Sequence, residues 1–425
     1  MSDPAPMSPE PRRTPLHSVH RELEAVFTDF GGWEMPLRYG SDLAEHRAVR
    51  TSAGLFDLSH MGEVKVEGPG ADQALDHALV GRISAVAVGR ARYSMMVTDQ
   101  GGIIDDLIVY HVGDEEFLVV PNAANREQVA AELAARCAGF EAAVSDISLS
   151  TALLAVQGPR AEEVLRGVVE SGAGIPAALR PEPGQSQDED CGADVLCGPG
   201  ILARLRYYAA VRATAAGHSI LLARTGYTGE DGFELFCGAE DAEDLWRVIT
   251  ASAQGLEASP TGGSQDDGGL PVLTPCGLAS RDSLRLEAGM PLYGHELERT
   301  ITPFDASLGA MVVLDRPGFV GRAALEERKE REGQEGTEVL VALEGQGRRA
   351  ARAGCPVLDD SGRRLGTVTS GLLSPTLGRP IALARLAPHS PKEPAWPVGT
   401  ELSVEVRGRL MPMSVVAAPF YRRPR

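Results

Sequence analysis

Two carboxylates stand side by side inside an apolar run, IIDDLIVY, as Asp105 and Asp106. Burying a charge is costly unless it is matched, so an acid in such a strand is a candidate for moving a proton or polarising a ligand. Strand side chains alternate faces. The two Asp therefore cannot form a shared dyad, and at most one faces a pocket. The plain alternative places both in the turn that follows Gly102. A second constellation is RTGYTGEDGFELF, residues 224–236. Gly226, Gly229 and Gly232 bracket Tyr227 and deliver Glu234 onto a strand, and glycine lets backbone approach a ligand closely. The plain alternative is a hairpin loop with a surface Glu. In SRDSLRLEAG, residues 280–289, Arg281 and Arg285 share one helical face. A guanidinium there can clamp a carboxylate or a polarised ring, although Asp282 and Glu287 are in reach for ordinary pairing. Tyr93 and Tyr207-Tyr208 offer flat faces with a polar tip, for stacking or for core packing. Asn122 and Asn125 are the only two Asn in the chain. Asn122 reads first as an N-cap, and its amide can also read a heterocycle edge.

The elements that must position these residues follow from pattern. ARYSMMVT, IIDDLIVYHV and FLVVP predict a three-stranded meander with turns at DQGG and GDEE. The helix AANREQVAAELAARC follows it. A second α+β stretch starts with SLSTALLAVQGP and a helix from Arg160 to Val169. It continues with strands HSILLARTGY and FELFCG around TGEDG, then the helix GLASRDSLRLEA. Upstream stand a helix in SVHRELEAVF, a Gly-rich turn, a helix in DLAEHRAVRTSA and a strand in HMGEVKVEG. A charged connector helix is predicted over 322–336. Beyond it, EVLVALEG, RLGTVTSG, IALARL and ELSVEVRG predict a small barrel or sandwich over 337–425. Residues 1–15 read as a disordered Pro-rich leader, and 16–321 as a two-lobed α+β domain. Gly/Pro/Ser/Asp-rich insertions interrupt that domain near 181–200 and 254–273.

Composition excludes other classes. The 425 residues carry 41 Lys+Arg against 59 Asp+Glu, a net charge of −18. That argues against nucleic-acid or membrane-surface partners, which need positive potential. No apolar stretch is long enough to span a bilayer, and the N-terminus lacks a signal-peptide core. Six Cys are scattered without a C-x-x-C, which argues against a metal site or disulfide framework and for a cytoplasmic location. The three Lys, at 65, 329 and 392, build no P-loop, and no G-x-G-x-x-G, H-E-x-x-H or G-x-S-x-G occurs. No nucleophile–base pair emerges. The residues alone reach a soluble protein with one semi-buried acid and Arg, Tyr and Asn ligand candidates, but no reaction.

Taken together and in order, several stretches closely resemble the glycine cleavage T-protein (aminomethyltransferase) family. They are DFGGWEMPLRYGSDLAEHRAVRTSAGLFDLSHMGEV, GGIIDDLIVY, LLAVQGP, RTGYTGEDGFEL, GLASRDSLRLEAGMPLYGHEL, GFVGRAAL and GTVTSGLLSPTLGRPIALA. The resemblance runs from about Leu16 to the C-terminus. It implies a three-lobed folate-binding fold with a C-terminal β-barrel. It also implies transfer of a one-carbon unit from a lipoylated carrier protein (the H-protein) to tetrahydrofolate, without a metal. Carried over residue by residue, the catalytic acid falls on Asp105, facing the folate, with Asp106 on the other side. Glu234 matches the pterin-reading Glu and Arg281 the substrate-site Arg. Tyr93, Asn122, Tyr207 and Tyr227 match lining positions, and Arg422 stands near where the tail reaches the folate.

One departure is Ala310, where the family usually has Trp. A missing aromatic beside the folate would weaken binding by roughly 1–3 kcal/mol. The two insertions also depart, and the 254–273 loop is expected to be dispensable. Folate domains of sarcosine and dimethylglycine dehydrogenases are similar but fused to flavin domains, for which no fingerprint exists here. A non-catalytic iron–sulfur-assembly branch carries a K-G-C-Y-x-G-Q-E-like motif, whereas this chain reads MPLYGHEL. A folate-dependent demethylase shares the scaffold, and Ala310 keeps it open. Docking of an acidic carrier needs a local basic face, for which Arg348, Arg349 and Arg352, or Arg363 and Arg364, are candidates.

Overall fold

The computed structural model describes residues 10–173, 195–257, 271–316, 318–331, 334, 336–390 and 395–424. The meander forms as expected: strands Ala91–Val97, Ile103–Gly113 and Glu116–Pro121 pair antiparallel. Val64–Glu67 and Ala143–Asp146 complete a five-stranded sheet. Alternation sorts its side chains. Leu107, Val109, Phe117 and Val119 pack with Leu75, Val129 and Leu133 of helices Ala71–Ala78 and Arg126–Cys137. Ile108, Tyr110, Leu118 and Val120 belong to a different core, shared with a second sheet.

That second sheet has eight strands. Their order is Val195–Cys197, Val169–Ala173, Ala210–Ala215, His218–Ala223, Gly232–Gly238, Thr151–Gln157, Ala53–Asp57 and Leu273–Pro275. Its pairs are antiparallel except the last. Leu153, Ala155, Ala223 and Phe236 meet Tyr110, Leu118 and Val120 between the sheets. Leu154, Val156, Leu222 and Leu235 face the other way, toward helices Ala161–Leu165 and Ala242–Glu257. Each large side chain buried in this way contributes about 1.5–3 kcal/mol, so the seam between the sheets is held firmly around any gap left in it.

Six strands close the C-terminal barrel: Val339–Gly345, Pro380–Leu386, Arg364–Leu373, Pro356–Leu358, Glu401–Val406 and Arg409–Val416. Helix Leu278–Glu287 joins barrel to lobes. Its Leu284 enters the inter-sheet core, and its Leu286 packs on Ala342, Ile381 and Leu383 of the barrel. Glu287 closes the helix in a buried polar knot. It accepts from Arg50 Nε and Nη2 at 3.1 and 2.8 Å, from the Thr376 backbone at 3.0 Å and from the Thr376 hydroxyl at 2.7 Å. Arg50 also pairs with Glu230 and lies over the Tyr421 ring at 4.0 Å, which ties in the C-terminal tail.

Some expectations shift. Residues 1–9 of the expected leader lie outside the described residues, but Arg12 hydrogen-bonds along Gly32 and Glu34, and Thr14 donates to buried Asp57. Arg12 and Thr14, inside the expected leader, are thus bonded to the folded domain. The first helix stops at Glu22, and the β-favouring run from Val26 pairs instead as Val26–Phe30 with Trp33–Arg38. Of the two insertions, 181–194 and 258–270 lie outside the described residues. Val195–Cys197 and helix Gly198–Arg204 show that the first ends in regular structure. The connector forms a helix at Arg322–Glu330.

Candidate active site

A cavity of about 260 Å³ opens in the seam between the two sheets and is closed off by residues that follow helix Leu278–Glu287. Five of the expected residues line it: Tyr93, Asn122, Tyr227, Glu234 and Arg281. Three do not. Asp105 is fully buried and lies behind the wall, while its neighbour Asp106 borders the cavity. The strand alternates as expected, with the face opposite to the one the resemblance implies: Asp106 shares its side with Ile108 and Tyr110, both cavity-lining. Tyr207 is 46% exposed and stacks edge-on against Tyr208, which takes the lining place. Arg422 is exposed and outside the lining, although Ala418 and Pro419 of the same tail abut Gly289 in the cavity wall. Ala310 is exposed and also outside the lining; Leu308 borders the cavity instead.

Asp106 is held at both oxygens. Tyr93 donates its hydroxyl to Oδ2 at 3.0 Å, and Asn122 Nδ2 donates to Oδ1 at 2.9 Å. Burial pushes its carboxyl up to about 6, against the pull of these two bonds and of Arg281. Asn122 makes no side-chain cap to the helix after it; its NH₂ is turned onto the Asp pair. Asp105 is also pushed up, by burial and by the neighbouring Asp106, while three N–H bonds from Asn122 and Asn125 pull the other way.

Glu234 sits on the opposing sheet. It accepts from the hydroxyls of Thr225 and Tyr110, the latter at 3.1 Å. Burial raises its carboxyl, countered by those two bonds and by Arg281. The glycines before it have a different use from the one expected. A Cβ on Gly226 or Gly232 would fall 1.9 or 2.4 Å from the Gln157 side chain. They admit Gln157, whose amide bonds the Thr225 carbonyl and the Thr228 hydroxyl at 3.0 Å each and so shapes the loop.

Arg281 lies over the Tyr227 ring at 4.6 Å, and burial lowers its pKa. The acids expected beside it are taken by others: Asp282 pairs with Arg285, and Glu287 with Arg50. Its guanidinium is left to the cavity. Residue types offered Asp106 and Tyr208 beside their neighbours, but the resemblance points to Asp105 and Tyr207; Tyr110 stood outside every expectation. The period-two alternation from Tyr110 back to Asp106 was the available signal for those two. Tyr208 carries a left-handed backbone, φ +58°, that no local pattern announces.

The family model for the GCVT N-terminal domain matches residues 16–176 and 200–316, and that for the glycine cleavage T-protein C-terminal barrel domain matches 339–422. The chain belongs to the glycine cleavage T-protein family. Among its relatives, the "Aminomethyltransferase" of Saccharopolyspora erythraea is 49% identical over 414 residues, covering 97% of this chain and 99% of the relative. That of Cutibacterium acnes is 49% identical over 413 residues, with the same coverage. The crystal structure of glycine cleavage system aminomethyltransferase T from Bartonella henselae is 33% identical and has a TM-score of 0.77, covering 97% of this chain and 98% of that one. The three-lobed α+β architecture with its terminal barrel is thus the family's own.

Proposed function

We propose that the chain, an aminomethyltransferase by family, passes the aminomethyl-derived one-carbon unit from the lipoyl arm of the glycine cleavage carrier protein (H-protein) to tetrahydrofolate. The products are 5,10-methylenetetrahydrofolate, ammonia and the dihydrolipoyl arm. The carbon–sulfur and carbon–nitrogen bonds of the aminomethyl group break, and new carbon–nitrogen bonds form at N5 and N10. The two protons released by N5 and N10 leave with the thiol and the ammonia.

The observation that carries this reading is a pair of acids with different surroundings in one cavity. Asp106, poised near pH 6, accepts a hydrogen bond near N10 and moves a proton as N5 attacks. Glu234, anchored by Thr225 and Tyr110, suits the adjacent N–H donors of a pterin ring. Tyr93 and Tyr227 supply flat walls, and Arg281 a guanidinium without a carboxylate ion pair among the described residues. Ala310 lies outside the lining, and Leu308 of the same segment borders the cavity. The test is formation of methylenetetrahydrofolate from aminomethylated carrier and tetrahydrofolate. Turnover is expected; folate binding without turnover would overturn the reading.

For the carrier, Arg348 and Arg349 are exposed, and Arg352 bonds the Gly371 carbonyl. Next to Gly371, Ser370 accepts from Arg285, which in turn bonds the carbonyl of cavity-lining Met290. Arg363 and Arg364 are instead occupied by Asp359 and Thr367. Rim charges act mainly on association. Reversing Arg348 and Arg349 to Glu is expected to raise KM for the carrier several-fold with folate binding unchanged; an unchanged KM removes this patch from docking. Among the described residues no helix is long and apolar enough to cross a membrane. Cys137, Cys237, Cys276 and Cys355 are free thiols, which supports a reducing, cytoplasmic setting.

A further inference from the structure

We propose that Asp105 is a positioning residue of the folate reaction: it clamps Asn122 and Asn125 so that the Asn122 amide caps Asp106 and fixes it in the cavity wall. The proposal rests on the reading of Asp106 as the acting carboxylate. Asp105 is fully buried and cannot touch the cavity's occupant. Its Oδ2 accepts the Asn122 backbone N–H at 2.8 Å. Its Oδ1 accepts Nδ2 of Asn122 at 2.9 Å and Nδ2 of Asn125 at 2.6 Å. The same Asn122 Nδ2 reaches the Asp106 carbonyl and Asp106 Oδ1, both at 2.9 Å. Every group that Nδ2 reaches is an oxygen acceptor, so a flipped amide would set oxygen against three oxygens. The orientation of Asn122 is therefore dictated by the acid pair.

The composition agrees. The chain holds two Asn in 425 residues, and both donate to this one carboxylate. A buried carboxylate is an inefficient way to add stability, since apolar packing of similar volume serves as well or better. What it provides here is direction: charge-assisted bonds that set one amide, which sets one acid. Adjacent residues on a strand look to opposite faces, so the hydrogen-bonded route from Asp105 to the cavity runs through Asn122.

The test is a double-mutant cycle in the full chain, with kcat for methylenetetrahydrofolate formation and the dissociation constant of tetrahydrofolate measured for each variant. Asp105→Asn is expected to lower kcat by about tenfold to a hundredfold, the scale of a misplaced reacting group. Its folate dissociation constant should stay within about threefold, and added to Asp106→Asn it should lower kcat by no more than about threefold further. Equal losses in both backgrounds would overturn the proposal, because Asp105 would then act independently of Asp106. Should Asp105→Asn not fold, Asn125→Ala decides. It removes one donor from Asp105 without bordering the cavity, and its smaller loss of kcat should likewise vanish in the Asp106→Asn background. An inactive wild type overturns this proposal and the functional reading together. An active wild type with multiplicative losses overturns the clamp alone.

Discussion

Replacing Asp106 with Asn is expected to lower kcat for methylenetetrahydrofolate formation by about 10²–10⁴-fold, the range for loss of a placed acid or base. The substitution keeps volume. Its amide oxygen can still accept from Asn122, and its NH₂ can donate to the Tyr93 hydroxyl, so the wall should persist. Folate affinity should change far less than kcat. The pH profile gives a second reading. Asp106 must be ionised to accept a proton, and its carboxyl sits at about 6. The wild-type rate should therefore fall as pH drops through that value, and the variant's residual rate should lose this acid limb. Tyr93 on the neighbouring strand, Asn122 and Arg281 face Asp106, and Asp105 acts on it electrostatically from the other side of the strand. A variant with near wild-type kcat would move the acid role elsewhere.

The second large effect is on stability. Arg50→Met strips the cation from two buried carboxylates, Glu287 and Glu230. Removing one partner of a buried pair typically costs about 3–5 kcal/mol, to be read as a lower urea midpoint with an unchanged slope. A shift below about 1 kcal/mol would mean that water or His46 takes over the charge. The same knot predicts acid lability. Burial alone would raise the Glu287 carboxyl, but His46, Ser374 and Arg50 outweigh it and hold it down at about 2, against 4.5 when free. A depressed carboxylate stabilises fully above its unfolded value. Its contribution of about 3 kcal/mol is then lost as pH falls from about 4.5 toward 2.

Much of this site was legible in advance because it is built on regular elements. Alternation in IIDDLIVY stated that one Asp of two could face a pocket, and the strand obeys it. What sequence lacked was the identity of the face. That is set by which side of the sheet meets the second sheet, a fact carried by Leu153 and Phe236 many residues away. Tyr207 and Tyr208 differ for a similar reason. Tyr208 is strapped by its backbone to Ala91 and Arg224, and this long-range bonding decides which ring turns inward. The Gly226 and Gly232 spacing correctly marked a close approach, but the body approaching is Gln157 of the same chain. Asn122 was an N-cap by every local rule, yet its side chain makes no cap bond and turns its NH₂ onto the buried acids.

Helix Leu278–Glu287 has neighbours on nearly every side. Arg281 points to the cavity, Leu284 to the inter-sheet core, Leu286 to the barrel and Glu287 to the knot around Arg50. Of its ten positions only Asp282 is exposed. An ordinary surface helix has a solvent stripe on which substitutions accumulate without consequence, and this one has almost none. Every other position is at least half-buried against a neighbour. A shift of the helix that suits the barrel at Leu286 also moves the guanidinium five positions upstream, so the barrel's packing and the cavity's cation are mechanically linked through one rigid element.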